Sequence, residues 1–434
     1  MLTWIVAQSV ELVKFISLLG LTLSIPQLRH VINVADALIT ADGKHKTLRR
    51  LNGTLQRPPT DEFAVADCFR LSPWTGADLR TRVLRFLLPF AFELVRRLKL
   101  DRIIQFSFDD SFCIKDKDTR KLEAVDWHHD HTASTKKRKV YCHGSVYVLC
   151  HLQIGWIEFT LNWRLYLRKD TVRRINRHRT PDQRVVYQSK LDLVREMLTE
   201  IAPLLPPDLT VYIEFDSWYS SAPLITWIRK QGWHVVGGLK ANRQVNHRPL
   251  RQRWHALWNT PVALITLQAQ DGNETTYRVR SCIGRLNHVA APVQVFVSKR
   301  NRRDPHPAYF FCTDLTLTTQ QVFELYQGRW RCEVDNWYLK EQLGLADYRV
   351  HSLEAILKYH AVVFLSLAYL QWRLTLRRAR DSQVAGETVA DMIRLHRHEH
   401  MVSLVTAVAE AAKTRLSIKT VVTRFVRPFA TVGT

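Results

Sequence analysis

The 434-residue chain carries 63 Lys and Arg against 40 Asp and Glu, a formal charge of +23, while 46% of its residues are hydrophobic. That apolar share excludes a disordered basic tail, and the length leaves room for roughly two to four domains with a large core. A folded protein this basic points to a polyanionic partner, with nucleic acid first.

Residues 1 to 95 read as helices. An apolar-rich segment over 6–21 is followed by a helix opened by Pro26, LRHVINVADALI, then a polar, basic, turn-rich stretch over 40–60. A further helix is predicted over 77–99, after the turn at Ser72 to Trp74. This module suits DNA binding and dimerisation equally, because no helix-turn-helix spacing decides between them.

The pattern changes at Arg102. IIQFSFD is a short apolar run ending in Asp109 and Asp110, and VYCHGSVYVLCHLQIGWIEFTLNWRLYL reads as two central strands and a turn. A helix over 190–204 precedes the strand TVYIEFD, which ends in Asp216. SAPLITWIRKQG is a helix closed by Gly232, and HVVGGLK is a strand after it. This succession predicts an α/β sheet with acids at strand ends, where open sheets place their active groups.

The seven cysteines, Cys68, Cys113, Cys142, Cys150, Cys282, Cys312 and Cys332, are odd in number and scattered. No secretory leader is read ahead of them, so a reduced intracellular protein is expected. His128, His129, His131, Cys142, His143, Cys150 and His151 cluster in sequence, but their spacings match no standard zinc pattern.

ALITLQAQ, TTYRVRSC, VQVFVSK and AYFFCTD are four strands with no long helix between them, a β-rich insertion ahead of the next helix. Thr318 or Thr319 can cap that helix and Gly344 can end it. It contains YQGRWRCEVDNWYLK. On one continuous α-helix, with Tyr326 at zero, Arg329, Glu333 and Lys340 fall at about 300°, 340° and 320°, a single polar stripe. An apolar helix with a basic end, LRRAR, is predicted over 352–378, and two more helices over 386–427. The apolar run 361–370 is too short to span a bilayer, and no membrane partner is expected.

Asp109, Asp216 and Glu333 stand out as a set. Carboxylates brought together repel one another unless a cation lies between them, and divalent metal of the Mg²⁺ kind prefers carboxylate oxygens. With such metal, an acid cluster in a basic protein can cut a phosphodiester.

Here the chain resembles the DDE transposases of the IS4-like superfamily, in the manner of the IS701-like branch or a close relative. That superfamily's signature is Tyr, Arg, Glu and Lys with two, three and six residues between successive members, a spacing met by Tyr326, Arg329, Glu333 and Lys340. FDSWYSSAPLITWIRKQGWHVVGGLKANR resembles the block of the second aspartate. FSFDDSFCIKDK resembles the first, with Ser111 at the usual threonine, and LSPW resembles part of the helical leader. The resemblance covers about residues 10 to 380.

The resemblance implies an α/β fold with an RNase H-like catalytic core, a β-rich insertion domain and a helical N-terminal module. The expected division is a DNA-binding or dimerisation module over 1–98, the core over 99–244 and 317–380, the insertion over 245–316, and a helical extension over 381–434. Asp109, Asp216 and Glu333 would be the catalytic metal-binding triad, with Asp110 as the alternative first acid. Arg329 and Lys340 would hold DNA phosphates and Tyr326 would contact DNA, while Trp254 or Trp258 could supply a base-stacking wedge. The implied cofactor is Mg²⁺, with Mn²⁺ able to substitute. The implied partners are inverted-repeat ends and target DNA, bound by a homo-oligomer in a bacterial cytoplasm. The implied reaction is cleavage at element ends followed by strand transfer. The rivals are an RNase H-like nuclease that does not join strands and a transposase-derived DNA-binding protein without catalysis.

Overall fold

The computed structural model describes residues 5–43, 45–55, 63–130, 133–135, 137–252, 257, 260–268, 272–414 and 417–425. The N-terminal module consists of helices Val10–Leu18, Ile25–Thr40, Leu48–Asn52, Ala64–Arg70 and Gly76–Leu98. Local chemistry sets their starts. Ser9 and Thr75 accept from the backbone N–H groups of Leu12 and Asp78, and Ser24 with Gln27 forms a capping box around Pro26. The first helix is shorter than expected, because the chain passes through Gly20 at φ +59° and leaves helical geometry.

The strands are β1 (Ile103–Ile114), β2 (Asp126–Asp130), β3 (Val140–Ile154), β4 (Ile157–Tyr166), β5 (Thr210–Phe215), β6 (His234–Leu239), β7 (Gln244–Val245), β8 (Arg248–Pro249), β9 (Ala263–Gln268), β10 (Glu274–Gly284), β11 (Val293–Lys299) and β12 (Ala308–Cys312). One ten-stranded sheet has the order β2-β3-β1-β5-β6-β12-β11-β10-β9, with β4 also on β3, and β7 and β8 form a separate pair. β4, β3 and β1 are antiparallel, and β5 and β6 run parallel to β1. The strands read as an insertion, β9 to β12, lie in this same sheet through the antiparallel pairing of β12 on β6.

Asp109 and Asp110 were expected at the end of a short strand. Instead β1 runs on to Ile114, because the long β3 pairs with it from Gln105 to Ile114. Only the parallel pairing with β5 stops before the acids, at Phe108 opposite Phe215.

Helix Leu353–Arg380 forms the centre of the helical layer and packs against Gly76–Leu98, Ile25–Thr40 and β4. Gly76 is needed there, since a Cβ would lie 2.5 Å from the Leu357 carbonyl oxygen. The predicted apolar run is the middle of this helix. It is long and apolar enough by composition to cross a membrane, but 89% of its most apolar window is buried inside the protein, as befits a core helix. Helices Val389–Lys413 and Ile418–Phe425 follow, the former packed on Ile25–Thr40 and Leu353–Arg380.

Candidate active site

Parallel pairing sets the first two acids side by side. Phe108 on β1 and Phe215 on β5 are partners, so the next residues, Asp109 and Asp216, leave adjacent strands at the same level. Asp216 is held by its own turn, its Oδ1 accepting from the N–H groups of Trp218 at 2.8 Å and Tyr219 at 3.3 Å. Burial pushes the Asp109 carboxyl up to about 7. The Arg329 guanidinium opposes that shift, and the neighbouring Asp110 and Asp216 add to it. Asp110 points to the other face of the strand, as alternation requires. There it takes Lys190 Nζ at 2.5 Å and the Tyr219 hydroxyl at 2.7 Å.

The third acid comes from the segment after β12. Thr318 caps helix Thr319–Gly328 in a box with Gln321. The helix was expected to be continuous to Gly344, but it breaks at Arg329, resumes over Trp330–Trp337 and widens into a π-helical turn over Tyr338–Gln342. The break lies where the backbone closes on the sheet. A Cβ on Gly328 would lie 2.9 Å from Gln105 Oε1 and 3.1 Å from Gln153 Oε1. Leu343 N–H donates to the Tyr338 carbonyl at 2.9 Å across the wide turn, and Gly344, at φ +70°, ends it. Arg329 keeps helical backbone angles (φ −54°, ψ −29°) and pairs with Glu333 one turn on, so the uniform helical spacing read from the sequence is lost only where the π turn begins at Tyr338.

Three of the four signature side chains still reach the sheet. Arg329 lies 3.6 Å from Asp109 Oδ2 through Nη1 and 2.9 Å from Glu333 Oε1 through Nη2, so one guanidinium joins the two acids. It also lies over the Tyr326 ring at 5.7 Å. Tyr326 packs edge-on against Phe310 of β12 at 4.8 Å. Lys340 donates to Ser111 Oγ on β1 at 2.9 Å. Glu333 is joined to the strands through Arg329.

A buried polar network fixes helix Trp330–Trp337. Asp335 Oδ2 accepts from Thr160 Oγ1 on β4 at 2.6 Å and meets His151 Nδ1 on β3 at 2.6 Å. Its Oδ1 accepts from Gln371 of the long helix at 3.0 Å, and Asn336 accepts from the Tyr147 hydroxyl at 2.7 Å. The π turn is tied down from below by Lys46, whose Nζ donates to the Leu38 and Gln342 carbonyls at 2.6 and 2.5 Å. Under the acids, buried Glu214 accepts from Ser107 Oγ at 2.7 Å, and burial pushes its carboxyl up to about 8.

Asp109, Asp216 and Glu333 offer the hard oxygen donors that a Mg²⁺-class ion prefers, and the crowding at Asp109 creates a demand for positive charge that Arg329 meets. A tighter donor set lies elsewhere. Asp36, His396 and His400 form a buried cluster capable of coordinating a metal ion, with their ligand atoms within 4.8 Å of one another. Among the described residues no other group of three such donors is that compact. This cluster is not legible in the sequence. The His-x-x-x-His spacing at 396 and 400 was visible, but its partner Asp36 is far away in sequence. The histidines read near residue 130 take other places, with His128 and His129 on β2 opposite Cys142 and Tyr141 on β3. His131, Trp254 and Trp258 lie outside the described residues. Exposed Trp218, Trp330 and Trp337 flank the site in a way the sequence reading did not single out.

The model of DDE superfamily endonucleases matches residues 25–257, and that of the transposase DDE domain matches residues 188–369. Among solved structures, that of the piggyBac transposase synaptic complex with hairpin DNA matches at 12% identity with a TM-score of 0.41, over 76% of this chain and 59% of that one. The chain thus spans less than two thirds of that protein's length. No curated protein matches.

Proposed function

The chain belongs to the DDE superfamily of endonucleases, and on that premise we propose that it is a DNA transposase of the IS4-like kind, IS701-like or a close relative. The observation that carries this reading is the pairing of Phe108 with Phe215, which sets Asp109 beside Asp216, together with the guanidinium that joins Asp109 to Glu333. Three antiparallel strands followed by two parallel ones support an RNase H-like core over 99–244 and 317–380. Residues 245–316 are then an insertion that lengthens its sheet, with a module over 1–98 before the core and an extension over 381–434 after it.

In this reading Asp109, Asp216 and Glu333 would hold Mg²⁺, or Mn²⁺ in its place. Such ions activate water toward a phosphodiester and stabilise the leaving oxygen. Asp109 is the better first acid than Asp110, because Asp110 is already engaged by Lys190 and Tyr219 on the opposite face. Arg329 and Lys340 neutralise DNA phosphates beside the acids. For Arg329 a phosphate competes with the carboxylates it now holds. Tyr326 and the exposed Trp218, Trp330 and Trp337 offer ring faces to bases or sugars at the cut end. The partners are the element's inverted-repeat ends and target DNA, engaged by a homo-oligomer in the cytoplasm of a bacterium.

The test is incubation of the protein with DNA carrying its element ends, a target plasmid and Mg²⁺. Strand-transfer products support a transposase. Cleavage without joining supports the plain nuclease, and binding without cleavage supports a non-catalytic DNA-binding protein.

A further inference from the structure

The helical layer contains a second donor set that this reading does not use. Asp36 lies on helix Ile25–Thr40, and His396 and His400 lie one turn apart on Val389–Lys413. All three are buried, with side-chain exposures of 0%, 0% and 3%. Both imidazole Nε2 atoms face the same carboxylate oxygen, Asp36 Oδ1, at 2.7 and 2.6 Å.

The surroundings orient the donors. Asp36 Oδ2 accepts from the Ser9 N–H at 3.0 Å, which leaves Oδ1 for the histidines. The Tyr369 hydroxyl lies 3.4 Å from His396 Nδ1 and accepts from Arg373 Nη1 at 3.3 Å. In the tautomer where Nδ1–H donates to that hydroxyl, the Nε2 lone pair faces a carboxylate oxygen. Two lone pairs in such contact repel unless a proton or a metal ion lies between them. Metal-binding histidines use the same device, in which the remote nitrogen is anchored and the near one is aimed.

We propose that Asp36, His396 and His400 bind a transition-metal ion of the Zn²⁺ class, which clamps the N-terminal helical module to the C-terminal helix. Two imidazoles and one carboxylate suit Zn²⁺, Co²⁺ or Ni²⁺ and are a poor set for Mg²⁺. Three protein donors leave one tetrahedral position for a small ligand such as water. The site is separate in residues and in metal preference from the three acids on the sheet side.

Metal analysis after loading the full chain with Zn²⁺ and desalting tests this. One tightly held zinc per chain is expected, retained in Asp216→Asn and lost in Asp36→Asn and in His400→Gln. Zn²⁺ should raise the Tm of wild type, a chelator should reverse the rise, and Mg²⁺ alone should not reproduce it. Should the Asp36 and His400 variants fail to fold, Co²⁺ titration of wild type still decides, since visible bands of a four-coordinate, nitrogen- and oxygen-ligated ion are expected to saturate at one equivalent and to persist in Asp216→Asn. A folded wild type that takes up neither ion stoichiometrically, with Tm unmoved by zinc, overturns the proposal and leaves a hydrogen-bonded acid–imidazole cluster. Loss of the zinc in Asp216→Asn overturns it as well, by moving the ion to the sheet-side acids.

Discussion

The sheet-side acids and the buried Asp36 cluster are built on opposite plans. On the sheet side, Asp109, Asp216 and Glu333 stand partly open, with one cation, Arg329, shared between two of them. In the helical layer, Asp36 is closed off from solvent and held by two imidazoles and a backbone N–H. An open acid cluster can exchange its cation for metal and substrate, whereas a closed one holds its partners in place. The proposed function therefore assigns activity to the first arrangement, and the proposed metal site assigns stability to the second.

The largest expected effect breaks the comparison on the activity side. Asp216→Asn or Glu333→Gln should lower DNA cleavage by roughly 100-fold or more, since losing a metal ligand exceeds the usual outer-shell cost. Melting should stay close to wild type, because both side chains are only half-buried and lie outside the apolar core. A Tm drop comparable to that of a core variant would show that these acids are structural.

Next comes the anchor between the two regions. Asp335 is buried and satisfied by His151, Thr160 and Gln371. Asp335→Ala leaves those partners unpaired and should cost about 3–5 kcal/mol in denaturant unfolding. A loss under about 1 kcal/mol, the size expected of a surface pair, would mean the network does not hold the signature helix.

The acid limb of stability examines the closed region. His360 is fully buried between Trp163 and Tyr348, and its ring nitrogens have no hydrogen-bond partner among the described residues. Burial lowers its pKa to about 3, with Lys115 pushing the same way. The unfolded chain then binds more protons between pH 6.5 and 3, so stability falls as pH falls through that window. His360→Phe should reduce the loss between pH 7 and pH 5 by about 2 kcal/mol. An unchanged acid limb would show that His360 is not held neutral.

The smallest effect is at the rim. Lys340→Ala removes a donor to Ser111 and a cation beside the acids, and should weaken binding of element ends roughly tenfold. Filter binding or anisotropy against salt would detect it, and a variant with wild-type affinity would remove Lys340 from the DNA contact.

How much of this was legible in the sequence depends on distance along the chain. The four signature residues span only residues 326–340, so their spacing survives any tertiary context. Most elements followed from periodicity and caps, as with Thr318 and its helix. The interruption at Arg329 was not legible, and it lies beside Gly328, whose close approach to Gln105 and Gln153 on distant strands leaves no room for a Cβ. The extension of β1 beyond its acids depended on the length of β3, a partner not fixed by local pattern. Asp109 was already favoured over Asp110 from the apolar run before it, and the register with β5 and the Lys190 pairing of Asp110 add support for that proposal. The Asp36 cluster joins residues 360 and 364 positions apart, and nothing short of the fold brings them together.

The central claim is that Asp109, Asp216 and Glu333 cut DNA with divalent metal. Single-turnover nicking of a labelled element-end duplex, run with and without Mg²⁺ on wild type and on Asp216→Asn, tests it most directly. The account predicts a metal-dependent nick that leaves a 3′-hydroxyl in wild type and none in a variant with wild-type melting. Equal nicking by both proteins, or nicking that persists in a chelator, would contradict it.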